Sequence, residues 1–80
     1  MYQKRPAQVN CYSGYTYAER PYSFLWRQKT FKIARVESEW LEPGGKFFKV
    51  LTDDEKLFEL CYNEGEDKWW LVVLETKEQI

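Results

Sequence analysis

The groups able to do chemistry in this 80-residue chain are few: two cysteines, two acidic clusters, one Gly-Gly pair and a basic, aromatic stretch. There is no histidine. Without imidazole there is no Ser-His-Asp or Cys-His nucleophile system and no histidine general base. Cys11 and Cys61 are too few for a four-ligand zinc site and lack the Cys-x-x-Cys spacing of a redox pair. One disulfide across the intervening loop would contribute roughly 3–4.5 kcal/mol in the chain-entropy model. Gly44-Gly45 lacks the additional glycines and the Lys-Ser/Thr of a phosphate loop. The clusters Asp53-Asp54-Glu55 and Glu64, Glu66, Asp67 carry the oxygen ligands that Mg²⁺ or Ca²⁺ prefers. Acids in such runs are more simply read as solvated turn formers. No enzymatic activity, cofactor or metal is expected.

Binding is the remaining class. The chain holds four Trp, six Tyr and five Phe, more rings than the two faces of a small sheet readily bury. Trp40, one or both of Trp69 and Trp70, and the Tyr15/Tyr17 stretch are the candidates for contact with another protein, since Trp and Tyr dominate interface hot spots. A homodimer through an unpaired edge of the final strand is the simplest form. A second possibility is single-stranded nucleic acid, with Arg20, Arg27, Lys29, Lys32 and Arg35 surrounding Tyr22 and Trp26 on one hairpin. The net charge of −1 argues against a general polyanion binder. The charge is nevertheless uneven, +6 over residues 1–36 and −7 over residues 37–80. Strands from the two halves that lie side by side would pair these charges across a sheet.

The elements that must position these residues read as strands. Aromatic and β-branched residues recur at period two, as in Tyr22-Ser23-Phe24-Leu25-Trp26. Residues 1–7 are expected to be a flexible end, 8–75 a single β domain and 76–80 a flexible C-terminus. A first strand over residues 8–18 is broken at Gly14. A hairpin turning at Gln28-Lys29 sets Trp26 opposite Phe31 and Phe24 opposite Ile33, with Tyr22, Phe24, Trp26, Phe31 and Ile33 on the core face. The apolar parity then switches to Val36, which predicts a bulge near Ala34-Arg35. Pro43-Gly44-Gly45 is a turn by composition. A three-residue loop at Asp53-Asp54-Glu55 sets Val50 opposite Phe58, Phe48 opposite Leu60 and Lys49 opposite Glu59. After the turn at Asn63–Asp67, Trp69, Leu71 and Val73 share one face, and Trp70, Val72 and Leu74 share the other. Parity alone leaves open which set meets the core. The sum is an all-β, antiparallel meander of five to six strands, SH3-like or another small bent barrel.

The segments Arg20-Pro21-x-Ser23-Phe24-x-Trp26, Trp40, Phe47-Phe48-x-Val50-x-Thr52, Phe58-Glu59-Leu60-x-Tyr62 and Trp69-Trp70-Leu71 together resemble a small bacterial domain of unknown function. The resemblance spans roughly residues 20–71 and consists mostly of aromatic core positions. It implies a fold and no functional residue. The N-terminus lacks the apolar run of a signal peptide and no stretch approaches the ~20 apolar residues of a membrane span. The expectation is a cytoplasmic protein with two free thiols.

Overall fold

The computed structural model of the protein describes residues 4–11 and 20–76. Six strands follow one another: β1 Arg5–Cys11, β2 Pro21–Trp26, β3 Lys29–Glu42, β4 Gly45–Thr52, β5 Lys56–Asn63 and β6 Lys68–Thr76. Each pairs antiparallel with the next, and β6 pairs with β1, so the sheet closes into a six-stranded barrel. The small bent barrel expected from the period-two pattern is the fold found.

Closure depends on a segment expected to be loose. β1 starts at Arg5, not at residue 8, and Arg5, Pro6 and Ala7 stand opposite Leu71, Trp70 and Trp69. A two-sided sheet has unpaired edges, and three residues at this seam satisfy the one that β6 would otherwise present. The homodimer expected through a free β6 edge therefore meets strand pairing already made within the chain. Gly14, Tyr12, Tyr15 and Tyr17 lie outside the described residues.

The barrel is filled by rings. Phe24, Phe31, Phe48, Val50, Phe58, Leu60 and Leu71 form the buried cluster, with Ala7, Val9, Trp26, Ile33, Val36 and Trp69 packed against it. Phe24 and Phe31 stack with centroids 5.1 Å apart, and Phe58 meets both edge-on at 5.0 and 5.2 Å. Edge-to-face and offset pairs of this kind add about 0.5–1.5 kcal/mol each beyond the area they bury. That suits a chain short enough to hide only ~60% of its unfolded surface.

The stacked pair also shows where the first hairpin differs from expectation. Phe24 pairs with Phe31, not Ile33, because the loop is Arg27-Gln28 and Trp26 faces Lys29. Both loop residues have positive φ, 55° and 62°, as a two-residue type I′ turn requires. The slip is by two positions, so every side chain keeps its expected face except one. Tyr22, expected in the core, is 43% exposed. The β1–β2 register changes between Asn10 and Cys11, which leaves Tyr22 as an extra residue and turns Pro21 inward in its place.

The β4–β5 hairpin matches, and the β3–β4 turn is one residue shorter than the Pro43-Gly44-Gly45 expected. β3 carries register shifts between Ile33 and Arg35 and between Val36 and Ser38, the first of them at the expected bulge. Pro43-Gly44 forms the next turn, with Gly44 at φ 88°, the combination a type II turn takes. Val50 faces Phe58, Phe48 faces Leu60 and Lys49 faces Glu59. Gly45 cannot be larger without local movement, since a Cβ there would sit 2.8 Å from the carbonyl oxygen of Tyr62.

Candidate interaction surface

The parity of β6 decides the site. Its loop spans Glu64–Asp67, four residues, so Tyr62 faces Trp69 and Cys61 faces Trp70. Trp69 thereby joins the core face, 5.8 Å from Phe48 and 5.3 Å from Tyr62 between ring centroids. Trp70 goes to the outside. Of the five candidate contact residues, Trp40 and Trp70 are brought onto one surface, Trp69 is taken from it, and Tyr15 and Tyr17 lie outside the described residues.

Trp40 and Trp70 end up in one lateral row. Following the register around the barrel, Trp40 faces Phe47, Phe47 faces Cys61, Cys61 faces Trp70 and Trp70 faces Pro6. All point away from the core, because Glu39, Phe48, Leu60, Leu71 and Ala7 alternate with them. At ~4.8 Å per strand, the two indoles are separated by roughly 14 Å. Trp40 stacks on Phe47, and Lys4 lies over the Trp70 ring at 5.7 Å. One step along the strands lies Lys49, Glu59 and Val72, and a further step brings Leu51 beside Leu57. These five are all half-buried although they face outward.

Carboxylates hold the rings in place. Trp40 Nε1 donates to Glu42 Oε2 and Trp70 Nε1 donates to Glu66 Oε1, each at 3.1 Å. The Tyr62 hydroxyl donates to Asp67. The acidic turn at Glu64–Asp67 thus fixes aromatic side chains, a role its composition did not reveal. The other acidic turn is also spent internally. Asp54 accepts from Thr52 Oγ1 and lies 3.2 Å from Lys56 Nζ and 3.5 Å from Lys29 Nζ. The Thr52 hydroxyl first, and then Lys56, lower its pKa from 3.8 to about 2. Among the described residues no three Cys, Asp or Glu side chains are grouped to hold a metal ion.

The basic set is dispersed. Arg20 pairs with Glu39 at 3.6 Å, Lys29 with Asp54, and Arg35 with Glu37 at 3.0 Å. Arg27 lies over the Trp26 ring at 4.7 Å, and Lys29 and Lys56 lie over Phe31. Lys32 is exposed on the outer face of β3, its carbonyl accepting from the Asp53 N–H. A base stacking on Trp26 would have to displace a guanidinium that already occupies the ring.

The thiols are separate. Cys11 lies five residues beyond Pro6 along β1, on the order of 16 Å from the row that holds Cys61, too far for a disulfide. Both are free. Burial between Phe47 and Trp70 raises the Cys61 pKa. Shallow grooves run along both sides of β1, one lined by Asp67, Lys68 and Trp69, the other by Leu25, Trp26 and Arg27. Among the described residues, no helix is long and apolar enough to cross a membrane.

No protein-family model, no curated protein and no solved structure matches the chain. The resemblance to a small bacterial domain of unknown function thus gains nothing from the family models and rests on the quoted residues alone.

Proposed function

We propose that this chain is a protein-interaction module, without catalytic activity of its own, that binds through the outer face of β3–β6. The single observation that carries the reading is the outward row Trp40–Phe47–Cys61–Trp70. Rings fixed in place by Glu42 and Glu66 lose little side-chain entropy on binding, and that preorganisation is what makes an aromatic surface adhesive. A row of rings on a closed barrel has no role in filling the core, which is complete without it. A reducing compartment such as the cytoplasm fits two cysteines that are not joined in a disulfide.

Single-stranded nucleic acid is the weaker reading. Three of its five basic residues are paired with carboxylates, and a fourth covers the ring that a base would use.

The test is capture from an extract of the source cells by immobilised wild-type protein, Trp40→Ala, Trp70→Ser and, as control, Arg35→Ala. Proteins retained by the wild type and the control but lost from both tryptophan variants support the reading, and copies of this chain count among them. Identical capture by all four contradicts it.

A further inference from the structure

The outer face has an internal symmetry about the line between β4 and β5. Phe47 stands beside Cys61, Lys49 beside Glu59, and Leu51 beside Leu57. One strand further out on either side, Trp40 corresponds to Trp70, and Glu42 corresponds to Lys68. In these five pairs apolar answers apolar and cation answers anion, while Ser38 corresponds to Val72 and Gly45 to Asn63. An isologous interface requires this relation, because a two-fold axis lying along the β4/β5 line brings each residue against its counterpart on the other copy.

We propose that the protein forms a homodimer through the outer face of β3–β6, with the two-fold axis parallel to β4 and β5 and with Lys49 and Glu42 of each copy meeting Glu59 and Lys68 of the other. The proposal rests on the reading of this face as an interaction surface and names its occupant. Lys49 and Glu59 carry it. They are half-buried, flanked by Phe47, Cys61, Leu51, Leu57 and Val72, and neither forms an ion pair among the described residues. An apolar partner would take both charges from water with only each other to pair with across β4 and β5, which is costly. A second copy supplies two compensating pairs without any further requirement.

The size of the face sets the strength. Four strands by four alternate positions cover about 19 by 27 Å, roughly 500 Å² per copy. The pair would bury roughly 1,000 Å², at the lower limit for a specific interface. A face at that limit fits a weak, concentration-dependent dimer, and we place its dissociation in the micromolar range.

Sedimentation velocity tests this, run from about 5 μM to about 500 μM to bracket that range. Wild-type protein should pass from monomer to dimer. Lys49→Glu sets four acids together at the axis and Glu59→Lys sets four lysines, so each variant alone should remain monomeric. Their equimolar mixture should dimerise at least as well as wild type, because both contacts become complementary. Lys49→Glu and Glu59→Lys combined on one chain should dimerise like wild type, which guards against misfolding of either single variant. Wild type that stays monomeric throughout, or a mixture that stays monomeric while wild type dimerises, overturns the proposal. The interaction surface itself would survive either result provided that Trp40→Ala and Trp70→Ser still lose a captured partner of another kind.

Discussion

The indole of Trp40 lies flat against the ring of Phe47 on the outside of the barrel, centroids 5.5 Å apart and planes 11° from parallel. The two residues face each other across β3 and β4, so the stack is a cross-strand pair of the sort that steadies a sheet. It also keeps an apolar surface flat and ready. A double-mutant cycle of Trp40→Ala and Phe47→Ala in urea should give a coupling of about 0.5–1.5 kcal/mol. Additive losses would mean that the rings do not meet in solution.

The inner rings carry a larger share of stability. Phe58 contacts Phe24, Phe31 and Trp26 at 5.0, 5.2 and 5.9 Å between centroids. Phe58→Ala should cost about 3–5 kcal/mol, which approaches the whole stability of a domain this small. Phe58→Leu, which keeps most of the volume, should cost roughly 1–3 kcal/mol and leave a folded protein. Urea midpoints decide both. A loss below 1 kcal/mol for the alanine variant would remove Phe58 from the centre of the core.

The Arg27-Gln28 turn is more improvable at Gln28 than at Arg27. Both residues occupy the left-handed region, where a Cβ costs roughly 1–2 kcal/mol. Gln28→Gly should therefore raise stability by up to about 1 kcal/mol, the gain reduced by the extra freedom of glycine in the unfolded chain. Arg27→Gly should gain less, because it also removes the guanidinium lying over Trp26. Thermal midpoints of the two variants give the order directly.

That turn marks the limit of what could be read from the chain alone. The faces of β2 and β3 were legible because period two survives a slip of two positions, whereas the pairing itself was not. Asn-Gly would have announced a type I′ turn, and Arg-Gln does not. Lys49 opposite Glu59 was legible because apolar pairs and opposite charges agreed on one register. The β1 seam was hidden, since Arg5-Pro6-Ala7 has no strand pattern and is held by pairing with β6 far along the chain. The outward row needed two loop lengths, the two residues of Pro43-Gly44 and the four of the last loop. With both known, Trp40, Phe47, Cys61 and Trp70 fall into line from register alone.

Acid should weaken the fold through Asp54. Its pKa is lowered from 3.8 to about 2 by the Thr52 hydroxyl, with Lys56 adding to the effect. The unfolded chain then binds a proton more readily than the folded one as pH falls. The stabilising contribution is complete above the ordinary carboxyl value and is lost between about pH 4 and pH 2. Asp54→Asn should be less stable at neutral pH and should flatten this acid limb in urea titrations. An unchanged limb would place the protonation elsewhere.

The inside-outside assignment of the adjacent tryptophans supports every functional statement made for this barrel. Cross-strand nuclear Overhauser contacts test it most directly. The Trp70 ring protons should show contacts to Cys61 Hβ and Pro6, and the Trp69 ring should show contacts to Phe48 and Tyr62. Contacts from Trp70 to Phe48 and from Trp69 to Cys61 would invert β6, return Trp70 to the core and dissolve the outer row.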